Sequence, residues 1–466
     1  MSQSAARAES VGLSALHVAR LVRERHVSPV EVIREHLARI DALEPTINAF
    51  QVVRRDEALA EAEALARRAD LDMLPLAGVP VAVKDNVDVA GTPTRHGSAA
   101  TSAGPVARDD ELVIRLRGAG CIVIGKTQMP ELAIWPFTEP AHFTPTRNPW
   151  DPSRTPGGST GGGAAALASG MTTLALGSDG GGSIRVPAAC CGVVGLKPTP
   201  GLVPLADGAA QHWFGMTSFG PLARTVSDVA IALEVLAGTS TYRQPRPPER
   251  PLRIAFSARH PSPGVRAASD VRAALSGAVS LLRDAGHMLI PARPPYPPTL
   301  GMRFSNRWLA GIADDTLSLP VDALEERTRK MARRGRRIAR RVKPAGADPF
   351  STRIAGWFED YDLLLTPTLT RPAVPIGNWA GKGWIRTMLG VGNWLYTVPW
   401  NIAGLPAASI PYDAGTDDSL PIGIQLIAPA GAEGTILAVA AQIEQLRPWP
   451  QLAPAPAPND ASARWS

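Results

Sequence analysis

Three glycines lead into Ser183 in the stretch SDGGGSIRVPAACCGVVG, Ser178–Gly195. Glycines leave their backbone N–H groups uncovered, and consecutive N–H groups can converge on one negative oxygen as an oxyanion hole. The preceding run TTLALGSD is apolar, so it reads as a strand that turns into a loop and presents a serine. A nucleophilic serine needs an activating base. His17, His26, His36, His260 and His287 lie in helical or Pro-rich segments, and the loop residues His96, His142 and His212 have no catalytic motif around them. A lysine is the other choice, provided that burial makes it neutral. Lys84 closes the apolar run VPVAVKDNV and fits best; Lys126 in VIGKTQMP and Lys197 in VGLKPTP compete with it.

A second glycine-rich stretch, TPGGSTGGGAAALASG, surrounds Ser159 and Thr160. A phosphate loop would need a lysine beside these glycines, and none is near. A dinucleotide-binding turn would need a strand directly before them, whereas NPWDPSRT stands there. The nucleophile elbow of α/β-hydrolases places glycine two residues after its serine; here that residue is Arg185. Asp179 and Arg185 flank the Ser183 turn and read as structural charges that fix the loop.

Elements on both sides must hold these residues. Helical spacing dominates residues 14–70, where Ser28, Pro29 and Glu31 carry a helix-start signature. From about 74 to 232 short apolar strands alternate with helices, which argues for an α/β fold with a buried sheet. Residues 240–350 are Pro-punctuated and include a strongly basic helix, 324–343, expected to be a solvated face. The sheet resumes over 360–446, and a tail from about 450 is expected to be disordered. With no repeat and no hinge-like linker, residues 1–466 form one large domain on this reading.

Bulk properties narrow the function. The chain has 466 residues, 45% hydrophobic and 19% charged, ordinary proportions for a globular protein with a large core. A net charge of +6 is mild for this length, so no nucleic-acid partner is expected. The three cysteines, Cys121, Cys190 and Cys191, give no disulfide framework, which implies a reducing, cytoplasmic setting and packing roles for the adjacent pair. The run GGGAAALASGMTTLALG is too interrupted by glycine and hydroxyl residues to span a bilayer, and the N-terminus lacks an apolar signal segment.

Several segments in order, among them GVPVAVKDNVDVAGTPT, GKTQMPELA, RNPWDPSRTPGGSTGGGAAALASG, GSDGGGSIRVPAACCGVVGLKPTPG, GPLARTVSD and YDLLLTPTLTRPAVPIG, together resemble the amidase signature family of serine hydrolases. The resemblance covers nearly the whole chain and is weakest over 240–350. It implies a central mixed β-sheet covered by helices on both faces, and a Ser–Ser–Lys triad. Lys84 lies 99 residues before Ser183 and Ser159 lies 24 residues before it, the separations that the resemblance leads one to expect. On that basis Ser183 is the nucleophile, Ser159 the bridging serine and Lys84 the base. The N–H groups of Gly180, Gly181, Gly182 and Ser183 would hold the oxyanion, with no metal or cofactor. Two departures from the family pattern stand out: Thr160 and Gly163 where serines are common, and Gly180 where a branched residue is common. Thr160 keeps a hydroxyl that can support the site.

The implied reaction is hydrolysis of small aryl or apolar amides, and of some esters, by a monomer or homodimer. Ala133, Trp135, Phe137, Trp213 and Trp394 are the expected pocket residues. The glutamine-hydrolysing subunit of tRNA-dependent amidotransferases resembles the chain throughout the core, but it usually carries an aspartate where Trp394 stands in GNWLYTVPWN. A non-catalytic binding protein on the same fold is the third expectation.

Overall fold

A computed structural model describes residues 10–205, 209–242, 244–413 and 420–454, without the side chains of 209–211. The expected tail is described only as far as residue 454; the rest of it lies outside the described residues. The strands are β1 (Phe50–Val53), β2 (Pro80–Lys84), β3 (Ile122–Thr127), β4 (Leu174–Asp179), β5 (Val194–Lys197), β6 (Ser218–Ala223), β7 (Arg253–Phe256), β8 (Met288–Pro291), β9 (Leu363–Pro367), β10 (Ala407–Asp413) and β11 (Ile422–Ile427). Among the described residues they form one mixed sheet in the order β1-β3-β2-β4-β6-β5-β10-β11-β9-β7-β8. β2 runs parallel to β3 and β4, and β7 parallel to β8 and β9; the other pairings are antiparallel.

The central strands β2, β3 and β4 are buried at every position, which is why they read as continuous apolar runs without alternation. Helices cover both faces. On one side pack Pro29–Ile47, Val226–Ala237, Ser269–Asp284 and Glu433–Leu446; on the other pack Arg185–Cys191, Leu300–Asp315 and Pro349–Trp357. The Pro29–Ile47 helix starts at the expected signature. Ser28 Oγ accepts from the Glu31 N–H at 3.1 Å, and Glu31 Oε2 accepts from the Ser28 N–H at 2.9 Å.

Two expectations need correction. Residues 14–70 are not all helical, because FQVV forms β1 at the sheet edge against β3. Four residues are too few to show a period of two, so the flanking helices mask the strand. The basic helix is shorter than expected, Glu326–Ile338, and is not a purely solvated face. Thr328, Met331, Ala332 and Gly335 are buried, and the helix packs against Leu300–Asp315. No helix among the described residues is long and apolar enough to cross a membrane.

Candidate active site

β2 and β4 lie side by side, and their ends carry Lys84 and Ser178. Lys84 is fully buried. Its Nζ lies 2.7 Å from Ser159 Oγ and 2.9 Å from Ser178 Oγ. Asn86 Nδ2 donates to the same Ser178 Oγ at 3.1 Å. Burial pushes the Lys84 amine down to about 7, against the opposing pull of the Asp179 charge.

The competing lysines are engaged elsewhere. Lys126 pairs with Asp85 at 3.1 Å and donates to Thr94 Oγ1 at 2.6 Å. Lys197 donates to the Pro198 carbonyl at 2.8 Å. Burial and the Arg185 charge also push Lys197 down to about 7. Contact with a serine, not the shifted pKa, therefore separates Lys84 from Lys197.

Ser159 is buried and follows a cis Gly158–Ser159 peptide bond. It precedes the Gly161–Ala168 helix by two residues, so the N-cap position falls to Thr160. Thr160 joins the two glycine-rich loops. Its N–H donates to the Ser183 carbonyl at 3.0 Å and its hydroxyl to the Ser178 carbonyl at 3.4 Å.

Ser183 is half-buried and opens on a cavity of about 280 Å³. The buried Asp179–Arg185 pair shapes its loop. Asp179 Oδ1 accepts from Arg185 Nη2 at 2.9 Å and from the Gly182 N–H at 2.7 Å. Asp179 Oδ2 accepts from Arg185 Nε at 2.9 Å and from the Ile184 N–H at 3.2 Å. Burial by itself would raise the Asp179 carboxyl, but the Arg185 charge and these hydrogen bonds hold it well below the usual carboxylate range. Arg185 reaches on to Gln425 Oε1 at 2.8 Å, Asn401 Oδ1 at 2.6 Å and the Thr397 carbonyl at 3.0 Å.

This geometry changes the expected oxyanion donors. The Gly182 N–H is already committed to Asp179 and cannot serve a substrate oxygen in this arrangement. The N–H groups of Gly180, Gly181 and Ser183 donate to no protein acceptor among the described residues; Gly181 and Ser183 line the cavity, whereas Gly180 does not. Gly182 has φ +131°, and a Cβ there would sit 2.2 Å from Thr397 Oγ1. Gly180 is required for another reason. A Cβ on it would lie 2.7 Å from Trp213 Cε3 and 2.9 Å from Thr217 Oγ1. Trp213 is buried and held by a 2.9 Å hydrogen bond from its Nε1 to Asp315. The indole thus fills the space that a branched residue at 180 would take.

Ala133, Trp135 and Trp213 line the Ser183 cavity, together with Phe304, Trp308, Met388 and Leu395. Two expected pocket residues do not. Phe137 stacks on Trp135 at 5.4 Å and lines a neighbouring cavity. Trp394 is fully buried, and its Nε1 donates to the Arg371 carbonyl at 3.0 Å. Position within a motif located them, but a side chain's direction depends on backbone that the motif does not specify. No charged side chain among the described residues lines this cavity.

Ser178, Asn86, Asn401 and Gln425 also belong to the site and are not among the residues expected from the sequence. Ser178 is adjacent to Asp179 and Asn86 is two residues past Lys84, so proximity to chosen residues was a usable signal. Asn401 and Gln425 lie more than two hundred residues from Arg185 and gave none.

A sequence model of the family described as Amidase matches residues 31–437. The chain is 43% identical over 449 residues to the Mycobacterium tuberculosis protein named "Putative amidase AmiB2", covering 92% of this chain and 95% of that one. It is 32% identical over 472 residues to an acylamidase of Rhodococcus erythropolis, covering 95% and 97%. Its fold is similar to that of 6-aminohexanoate cyclic dimer hydrolase, with a TM-score of 0.85, 30% identity and coverage of 95% and 99%. A bacterial aryl acylamidase of the amidase signature family superposes with a TM-score of 0.82 at 26% identity, covering 94% and 97%. With a mixed sheet flanked by helices, and with these likenesses over nearly its whole length, the chain belongs to the amidase signature family of amide hydrolases.

Proposed function

We propose that the chain hydrolyses neutral aryl or apolar amides through a Ser183–Ser159–Lys84 relay. One observation carries this reading: a fully buried Lys84 amine, 2.7 Å from Ser159 Oγ, in the loop that is hydrogen-bonded to Ser183. A neutral amine accepts a proton, whereas an ammonium cannot. Lys84 takes the Ser159 proton, and Ser159 takes that of Ser183 as its Oγ attacks the amide carbonyl carbon. The N–H groups of Gly181 and Ser183 stabilise the resulting oxyanion. Ser159 returns a proton to the leaving nitrogen, the C–N bond breaks, and the amine departs from an acyl-Ser183 ester. Water then adds to the ester carbonyl by the same relay and releases the carboxylic acid.

The aromatic and aliphatic lining, free of charged side chains, supports a neutral acyl or aryl group beside Ser183. It argues against free glutamine, whose ammonium and carboxylate would be buried there unpaired. The three free thiols are all buried, which supports the cytoplasmic reading. The test is turnover of a panel of anilides, alkyl amides and glutamine by the purified chain, with fluorophosphonate labelling of the wild type and of Ser183→Ala. Anilide turnover and labelling in the wild type, both lost in S183A, are expected. Labelling that persists in S183A would remove Ser183 as nucleophile, and turnover of glutamine alone would overturn the substrate class.

A further inference from the structure

A cavity of about 880 Å³ opens at the carboxyl ends of the parallel strands β7 and β8 and shares no lining residue with the Ser183 cavity. We infer that it binds the di- or triphosphate chain of a nucleotide-sized ligand. The inference does not depend on the reading of Ser183 as the nucleophile.

The charges define the ligand. Arg259, Arg272, Arg283 and Arg293 line the cavity, and no aspartate or glutamate does. The whole chain is nearly balanced, with 48 basic and 42 acidic residues, so four cations without an acid are a local excess. None of the four has a carboxylate partner among the described residues. Two of them reach backbone carbonyls instead: Arg259 that of Pro294 at 3.5 Å, and Arg272 that of Ala267. Asp270 and Asp284, the acids of the helix Ser269–Asp284, are exposed and do not line the cavity; Asp270 accepts from the Val271 N–H. A neutral or cationic ligand would leave the like charges facing one another, and one carboxylate would answer only one of them. Each phosphoryl group brings about −1.5 to −2 charges and three acceptor oxygens, which suits several guanidinium forks at once.

The fold explains why the arginines meet. β7, the helix Ser269–Asp284 and β8 form a parallel strand–helix–strand unit, with Phe256 in register with Pro291. Arg259 and Arg293 lie just past the ends of these strands, and Arg272 is on the first turn of the helix. In such a unit the strand ends and the start of the connecting helix share one side of the sheet, the side on which open α/β sheets bind their ligands. Arg272, Leu275, Ser276, Val279 and Arg283 follow one face of the helix over about 16 Å, at 1.5 Å per residue. Between the arginines the wall is apolar, made by Phe256, Leu275, Val279 and Pro291. That wall and the volume suit an organic phosphate carrying a ring. All four arginines fall within residues 240–350, where the chain resembles its family least, and none lines the Ser183 cavity, so the amide reaction does not account for them.

The experiment is calorimetric titration of the full chain at low salt with ATP, AMP, adenosine, tripolyphosphate and a single-stranded oligonucleotide. ATP is expected to bind about tenfold more tightly than AMP, with adenosine not binding and the ATP affinity falling in high salt. Tripolyphosphate should bind more weakly than ATP, because it leaves the apolar wall bare; equal binding would overturn the nucleotide-sized ligand. An oligonucleotide that binds more tightly than ATP would overturn the inference in favour of a nucleic-acid surface. Arg283 and Arg293 are exposed and make no hydrogen bond among the described residues, so Arg283→Gln/Arg293→Gln should leave anilide turnover and the urea midpoint unchanged while weakening ATP about tenfold. Arg336→Gln/Arg337→Gln removes the same charge from exposed positions elsewhere and should keep the ATP affinity within about twofold. Equal losses in the two variants, or no saturable ATP binding by the wild type, would overturn the inference. In the wild type itself, ATP should protect Arg259 and Arg293, but not Arg336, from phenylglyoxal, read by peptide mapping; equal modification with and without ATP would overturn it as well.

Discussion

Lys84→Met tests the neutral lysine most directly, because the same shift governs stability and rate. In the unfolded chain Lys84 titrates near 10.5; in the folded chain burial brings it to about 7. Between those values the unfolded state binds the extra proton, so wild-type stability rises with pH through this window and is flat below it. The whole shift corresponds to about 5 kcal/mol of stability forgone near neutrality and recovered by high pH, at about 1.36 kcal/mol per pH unit. Methionine fills similar space with no charge to desolvate, so K84M lacks this slope. The Ser159 hydroxyl loses a partner in K84M, but that penalty is independent of pH. Lys197, also held near 7, is present in both proteins and cancels. The wild type should therefore gain about 2 kcal/mol on K84M between pH 7 and pH 9, read from urea midpoints at each pH. Phosphonylation of wild-type Ser183 by a fluorophosphonate, with loss of fluoride, should rise about tenfold from pH 6 to pH 8 as the amine becomes neutral, and should be lost in K84M. A stability difference that stays level from pH 7 to pH 9 would refute the neutral amine. A flat phosphonylation profile in the wild type would refute its role as base.

Two further outcomes follow from the loop around Ser183. Gly180→Thr drives a Cβ into Trp213, which Asp315 holds in place, and should lower acylation about 100-fold by displacing the donors. The double variant Gly180→Thr/Trp213→Ala should recover part of the loss; recovery of none would show that the indole is not the obstacle. Arg185→Met leaves the Asp179 charge buried and strips partners from Gln425, Asn401 and the Thr397 carbonyl. It should cost about 3–5 kcal/mol in urea unfolding, and a loss under 1 kcal/mol would contradict the role of this pair.

Much of the architecture was legible along the chain. β2, β3 and β4 stood out because strands buried on both faces are continuous apolar runs, and the Pro29–Ile47 helix because its capping box is local. The short edge strand β1 did not stand out, since four residues carry no period. Ser159 and Ser183 were found from their glycine context, and the candidate lysines from the apolar runs that they close. The apolar run before Lys84 already favoured it over Lys126 and Lys197, the resemblance supported that choice, and three dimensions then showed which of them touches a serine.

By itself the sequence determined the fold class, the glycine loops and the short set of groups able to do chemistry, because these depend on local composition and short-range order. Only the tertiary structure decided which N–H groups stay free. Asp179 takes the Gly182 N–H, leaving those of Gly181 and Ser183 at the cavity without a protein acceptor, and the Asp179 orientation is fixed by Arg185, itself held by Gln425, and by Asn401, the latter two from distant segments. It also decided which aromatic rings form the pocket. Trp308 lines the cavity and Trp394 does not, because side-chain direction follows from backbone held by packing across the whole domain. The bare Gly180 has the same origin: its missing side chain is matched by an indole 33 residues later, which Asp315 holds from a third segment, a fit that exists only once the chain has folded.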